Sequence, residues 1–423
     1  MKAPTPDMTK LEGTIKVLGS LHEHRAANPT CKTDLMYYQL LHRYYSDIRN
    51  AVDEGKPLVA HTVTLPMEIL YALDVVPYLT EVVAMCQTHL QNLYEESLSA
   101  AKAFGLTPEI CSAHRILLGN ILKGWVPRPT AAIWSNLVCD NTAKSSQVIS
   151  EMYGTPGYFL DRAYAFSEPE VKYFTRELED MITFLEQATG RKMNWDRLSE
   201  AVARSQEIFD LQEEIAEIRK SIPSPIRNRG SMLQHLISFY LPGWPEAVDF
   251  FRMMRDEVKE TAEQSKGYTQ KENFRLAMYY EPPMWGWKIL DWMERVHGAA
   301  IVTEPCWNYW GDMELNTSNP LEALARKTFA RPVCWQFNGP AENIARDMVR
   351  GSREYRAEGA FTFCHVGCRQ SCAVNRMVSD ALSQDLEIPF FSIDCDFGDP
   401  TITPMGEVQE RLESFFEILE DRK

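Results

Sequence analysis

Residues 360–396 read AFTFCHVGCRQSCAVNRMVSDALSQDLEIPFFSIDCD, and the alternation in this stretch decides the fold. The run AFTFCHV is short, apolar and closed by Gly367, the mark of a buried strand. RQSCAVNRMVSDALSQDL spaces Val374, Val378 and Leu382 at helical intervals, and IPFFSIDCD is a second apolar run. Two strands joined by an amphipathic helix form a βαβ unit, whose sheet is parallel and covered on both faces. GEVQERLESFFEILED, residues 406–421, supplies a closing helix.

The same alternation extends upstream. ENFRLAMYYEPP (272–283) reads as strand and loop, GWKILDWMERVHG (286–298) as a helix ended by Gly298, AAIVTEPC (299–306) as a strand, and AENIARDMVRGSREYRAEG (341–359) as a helix. An earlier set has the strand and loop KPLVAHTVTLP (56–66), the helix PMEILYALDV, the strand VPYLT, the helix CSAHRILLGNILKGWV (111–126), and strands in TAAIWSNLVCDN (130–141) and TPGYFLD (155–161). Between the two sets, residues 167–275 carry apolar residues at helical spacing, broken at 221–230 and 240–247, with charged helix faces. Residues 8–55 are helical as well. The expected fold class is α/β: two flavodoxin- or Rossmann-like parallel-sheet domains with a helical insertion and an N-terminal helical cap. The expected bounds are 1–50 for the cap, 51–166 for the first α/β domain, 167–272 for the insertion and 273–423 for the second α/β domain. The arrangement resembles an internal duplication.

A chain of 423 residues exceeds one core, since single cores stop growing at roughly 250–300 residues. Its net charge of −15 argues against nucleic acid or an anionic membrane as partner. No window approaches the roughly 20 apolar residues of a spanning helix, and MKAPTPDMTKLEGTIK lacks a signal-peptide core. The expected location is the cytoplasm. There, ten cysteines do not make a disulfide framework. They invite a metal or redox role, against the plain alternative of buried packing residues.

Several chemistries are absent from the motifs. There is no phosphate-cradling G-x-x-x-x-G-K-[ST], no G-x-G-x-x-G after a strand, no C-x-x-C and no HExxH. The run Cys364, Cys368, Cys372 misses the spacing of radical enzymes that use S-adenosylmethionine. The cysteines instead follow strands: Cys139, Cys306, Cys364, Cys368 and Cys395 all end or follow one. Ligands of open parallel sheets bind at the carboxyl ends of strands. Cys111 sits at a helix start, where outward amides favour an anion. Thiolates so gathered, without compact zinc spacing, fit an iron–sulfur cluster bound between two domains.

The stretch EICSAHRILLGNILKG (109–124) with AAIWSNLVCDNT (131–142) resembles the first two cluster cysteines of the 2-hydroxyacyl-CoA dehydratase and benzoyl-CoA reductase family. FCHVGCRQSC, LEIPFFSIDCDFGDP and VQERLESFFEIL resemble its third cysteine and C-terminal tail, and KPLVAHTVTLPMEILYALDVVPYL its first strand and following turn. The resemblance implies a [4Fe-4S] cluster on Cys111, Cys139 and Cys368, a homologous second subunit, and a separate ATP-hydrolysing iron–sulfur activator protein that delivers a low-potential electron. The lack of a phosphate loop here agrees with that division of labour. In the family's dehydratases an acyl-CoA is reduced to a ketyl radical that expels a hydroxyl, and in its reductases an aromatic ring is reduced.

Two alternatives stay open beside this reading. One branch of the family holds a double-cubane [8Fe-9S] cluster and reduces small molecules, and here Cys395 in IDCDFGDP is the extra candidate ligand; Cys364 and Cys372 read more simply as buried. The other is a subunit that only transfers electrons. His61, Thr62 and Thr64 align with a polar turn that approaches the substrate carbonyl in the family, where a hydroxyl would donate to a developing oxyanion; the plain reading is a threonine cap on the next helix. His114, His365 and Arg369 are candidates to support the cluster, and Trp307 and Trp310 to line a pocket, each with ordinary packing as the alternative.

Overall fold

The computed structural model describes residues 2–265, 267–269, 271–308 and 313–423. Helices α1 (Thr9–Ala27) and α2 (Lys32–Glu54) pack as an antiparallel pair ahead of the first sheet. Gly55 ends α2 at φ 65°, a left-handed position that suits glycine. Next come β1 (Leu58–His61), α3 (Met67–Ala72), β2 (Val76–Leu79), α4 (Thr80–Gln91), α5 (Tyr94–Phe104), α6 (Ser112–Leu122), β3 (Ala131–Ser135), α7 (Asp140–Tyr153) and β4 (Gly157–Leu160). The four strands pair in parallel in the order β2-β1-β3-β4. β1 is buried along its whole length, as its apolar run LVAH requires.

Four helices follow, α8 (Glu168–Thr189), α9 (Trp195–Ile218), α10 (Asn228–Tyr240) and α11 (Pro245–Glu263), and the breaks between the last three fall at the proline-rich stretches. The second sheet is built from β5 (Phe274–Tyr279), α12 (Lys288–His297), β6 (Ala299–Thr303), α13 (Pro320–Ala330), α14 (Pro332–Phe337), α15 (Glu342–Glu354), β7 (Gly359–His365), α16 (Arg369–Ala373), α17 (Asn375–Leu386), β8 (Phe390–Cys395) and α18 (Met405–Glu420). Its order, β6-β5-β7-β8, is again parallel and repeats that of the first sheet strand for strand. The two sheets thus share one topology, the likeness between halves that the sequence pattern suggested. Two four-stranded parallel sheets flanked by helices make an α/β fold. Among the described residues, no helix is long and apolar enough to cross a membrane.

Helices α13 and α14 lie in a stretch for which the sequence pattern assigns no element. They belong to the chain's second half, yet Leu321, Leu324, Phe329 and Val333 enter the core beneath β1 and β3 with α8 and α9. Lys327 of α13 forms an ion pair with Glu68 of α3, whose carboxylate also accepts from the Ser205 hydroxyl at 2.5 Å. Glu68 is fully enclosed, and the ammonium beside it opposes the burial cost and holds its pKa below the usual carboxylate value. The two halves are therefore interlocked rather than merely abutting.

Candidate functional site

In each sheet the order reverses direction at the first strand, between β1 and β3 and between β5 and β7. Crevices open at the carboxyl ends of strands at such switch points. Both switch points face one cavity of about 400 Å³. Val63 and Thr64 enter it after β1, Val138 and Cys139 after β3, Tyr280 and Glu281 after β5, and Gly367 and Cys368 after β7. Cys111, from the loop before α6, completes a group of three thiols on its wall.

All three cysteines occupy helix N-caps: Cys111 of α6, Cys139 of α7 and Cys368 of α16. The sequence foresees this for Cys111 alone. β3 ends at Ser135 and β7 at His365, so Cys139 and Cys368 lie in the turns beyond, each the residue before a helix. The Asn141 amide donates to the Cys139 sulfur at 3.4 Å. Amides of Gln370 and Ser371 face the Cys368 sulfur, the Tyr280 hydroxyl lies within reach of it, and the Ala113 amide faces Cys111. Burial outweighs these donors. It pushes Cys111 well above the ordinary thiol pKa, helped by the neighbouring Cys368 and Cys139, and pushes Cys368 up to about 11. Cys139 is raised by burial too.

Three desolvated thiols on one wall become thiolates together only against added positive charge. An iron–sulfur core carries iron cations for that purpose, and three thiolates leave one iron of a cubane without a protein ligand. Among the described residues, no three His, Cys, Asp or Glu side chains are drawn together around a single ion. A cubane spreads its thiolates over separate irons, so its ligand set is wider than that of one ion. The donor set fits such a cluster in kind and number.

The loop bearing Cys111 is fastened to the second half. Arg115 pairs with Asp396 at 3.3 Å and Asp399 at 3.4 Å, and donates to the Ile110 carbonyl at 2.9 Å. The Gly398 amide donates to the Ser112 hydroxyl at 2.7 Å. Sequence reasoning missed Arg115, although it stands in the quoted CSAHR; nothing local signals that its partners lie nearly three hundred residues on.

The other candidates fall into distinct places. Thr64, in the turn after β1, lines the cavity, whereas His61, the last residue of β1, and Thr62 do not. Thr64 adopts φ 67° and donates to the Val63 carbonyl at 2.6 Å. No threonine caps α3, whose N-cap is Pro66. Among the described residues, the Thr62 hydroxyl and His61 Nε2 have no hydrogen-bond partner. Cys395 is enclosed, its sulfur 3.6 Å from His365 Nδ1, and it does not line the cavity. His365 turns its other nitrogen to the Glu281 carbonyl at 2.7 Å. Cys364 and Cys372 stand 3.3 Å apart, sulfur to sulfur, away from the cavity, and Cys86 and Cys306 are likewise off its wall. His114 lines it, with Nε2 3.8 Å from the Cys139 sulfur and Nδ1 2.8 Å from the Ser145 hydroxyl. Arg369 pairs with Asp140 at the rim. Trp307 lines the cavity, and Trp310 lies outside the described residues.

Two desolvated carboxyls on the wall, Glu81 buried and Glu281 partly so, went unforeseen. Desolvation lifts Glu81 to about 7, and lifts Glu281 well above the usual range with Glu304 adding to it. Apolar and aromatic residues, among them Val82, Met85, Leu236, Phe239, Met284 and Trp287, make up much of the remaining wall, together with the charged Glu109, Asp140, Lys144 and Arg369.

The sequence model of a family described as 2-hydroxyglutaryl-CoA dehydratase, D-component, matches residues 62–419. The chain belongs to this family. Among curated relatives of this chain, the (R)-phenyllactyl-CoA dehydratase alpha subunit of Clostridium sporogenes is 22% identical, covering 79% of this chain and 81% of its own length. A benzoyl-CoA reductase subunit of Thauera aromatica is 22% identical over 90% of this chain and 92% of its own. The (R)-2-hydroxyisocaproyl-CoA dehydratase alpha subunit of Clostridioides difficile is 21% identical over 91% and 95%. The matched span takes in all three cavity cysteines, the whole second sheet and the first sheet except β1.

Proposed function

We propose that this chain is the cluster-bearing subunit of a cytoplasmic enzyme that dehydrates a 2-hydroxyacyl-CoA or reduces an aromatic acyl-CoA. The observation that carries the reading is the convergence of Cys111, Cys139 and Cys368 on one cavity at the two switch points. The relatives' names as dehydratase and reductase subunits support the substrate class and a partner subunit. A [4Fe-4S] cluster on those thiolates, when bound, supplies one-electron chemistry at low potential, with the electron delivered by a separate ATP-dependent activator. All ten cysteines are free, in keeping with a reducing compartment.

The chain's own residues have separable tasks. The Tyr280 hydroxyl lies within reach of the Cys368 sulfur, and the helix-start amides stabilise negative charge on the thiolates. The apolar wall excludes water, which strengthens each of these interactions. Glu81, near half-protonated at neutral pH, is suited to hold or release a proton at its carboxyl oxygen beside a bound thioester.

Iron and acid-labile sulfide on the anaerobically purified chain test the reading. About four irons are expected for one cubane, and about eight for the double-cubane alternative. Cys111→Ser, Cys139→Ser and Cys368→Ser are each expected to lose most of the iron, and Cys395→Ser to keep it. Unchanged iron in all three cavity variants sinks the assignment. Adding activator, ATP and an acyl-CoA is then expected to alter the EPR signal of the wild-type chain.

A further inference from the structure

Charge is distributed unevenly over the cavity. Its described lining includes four acidic residues, Glu81, Glu109, Asp140 and Glu281, and two cations, Lys144 and Arg369. Both cations are exposed at the rim, and Arg369 is engaged by Asp140. Deeper in, α10 presents Leu236 and Phe239 to the space, with Trp307 edge-on to Phe239 at 5.2 Å between centroids. Phe337 packs against Tyr280 at 5.2 Å, and Met284 and Trp287 face the cavity from the segment after β5. Arg331 approaches this wall from behind, 4.5 Å from the Phe239 ring centre, and does not line the cavity.

Leu236, Met284 and Trp287 also border a second space of about 80 Å³, lined further by Leu18, Tyr37, Leu41 and Leu90; Arg229 borders that space and does not line the cavity itself.

We infer that the acyl group taken by this cavity is bulky and uncharged, an aromatic or branched hydrocarbon, and that a dicarboxylic acyl group is rejected. The inference rests on the acyl-CoA reading above and names the substrate class of the same site. A terminal carboxylate would enter a desolvated wall whose described interior holds no cation, beside Glu81 and Glu281. A phenyl or branched alkyl group would replace water against Phe239, Trp307 and Trp287. The elements that decide specificity are therefore α10 and the segments after β5 and β6, rather than the loops that carry the thiols.

Calorimetric titration of the full-length chain with free CoA, benzoyl-CoA, isovaleryl-CoA and glutaryl-CoA tests this. Benzoyl- and isovaleryl-CoA are expected to bind at least about tenfold more tightly than free CoA, from burial of the acyl group, and glutaryl-CoA no more tightly than free CoA. Leu236→Lys, which puts a cation on a half-buried position of the wall, is expected to shrink the benzoyl preference and raise glutaryl-CoA affinity. If glutaryl-CoA matches or exceeds the hydrocarbon thioesters on the wild-type chain, the inference fails while the acyl-CoA reading stands. If neither free CoA nor any thioester binds, the acyl-CoA reading fails and the inference with it.

Discussion

A Cβ on Gly367 would stand 2.7 Å from the Cys111 Cα and 2.9 Å from its amide nitrogen, so the turn after β7 rests directly on the backbone of the Cys111 loop. The obstacle is backbone, with no flexible side-chain tip to swing aside. Gly367→Ala is therefore expected to part the two loops and to separate Cys111 from Cys368. Overpacking of this kind costs roughly 1–3 kcal/mol. The expected outcome is a lower melting temperature and partial iron occupancy, read together by calorimetry and iron analysis. Full occupancy at an unchanged melting temperature would show that the close approach can be relieved locally.

Arg115 is the second tie between these regions. Its guanidinium is almost fully buried against Asp396 and Asp399. Removing one partner of a buried ion pair leaves an uncompensated charge, at a cost of about 3–5 kcal/mol. Arg115→Met keeps much of the side-chain volume and removes the charge, and is expected to destabilise strongly in denaturant titration at pH 7. Adding Asp396→Asn and Asp399→Asn to that variant is expected to recover part of the loss. A triple variant no more stable than the single one contradicts this account.

The alternation of strands and helices was legible because buried parallel strands leave runs such as LVAH and AFTFCHV, and because Gly55 and Gly298 mark helix ends. Cys139 and Cys368 were legible through their position after strands, and Cys111 through its place at a helix start. Their common role as N-caps was not, since Cys139 and Cys368 follow loops whose length no pattern fixes. Helices α13 and α14 went unread although both begin with proline, Pro320 and Pro332, a residue suited to the first helical turn. Their place under the first sheet depends on Glu68 and Lys327 meeting across 259 positions. The cavity wall was illegible for the same reason: Leu236, Tyr280 and Glu81 become neighbours only through tertiary packing.

His61 gives a pH-dependent consequence. Enclosed at the end of β1, it hydrogen-bonds through Nδ1 with the Thr62 carbonyl at 3.0 Å, and desolvation lowers its pKa to about 4. Above pH 6.5 the ring is neutral in both folded and unfolded chains. As pH falls, the unfolded chain takes a proton that the folded one refuses, so the contribution to stability is present at neutral pH and lost toward pH 4. His61→Asn is expected to lose less stability than the wild type between pH 6.5 and 4, measured as the difference in urea midpoints. Parallel curves for the two proteins across that range refute the assignment.

Glu81 predicts the opposite slope. Desolvation raises its folded pKa to about 7 from an ordinary carboxylate value of 4.5, with only the Thr80 hydroxyl, at 3.1 Å, and its own amide favouring the ionised form. Below pH 4.5 both folded and unfolded chains carry the proton. Between 4.5 and 7 the unfolded chain releases it while the folded chain holds it, so stability declines as pH rises and levels off above 7. A shift of that size corresponds to about 3 kcal/mol at most, because one pKa unit is about 1.4 kcal/mol. Glu81→Gln has no proton to lose. The variant is expected to match the wild type near pH 4 and to exceed it by roughly 2–3 kcal/mol at pH 8, as measured by urea unfolding. The same variant is expected to lose activity in the assembled enzyme while keeping its iron, because the carboxyl contributes a proton site and no ligand. Greater stability with undiminished turnover would make Glu81 a mere burial cost, and iron loss would make it part of the metal site.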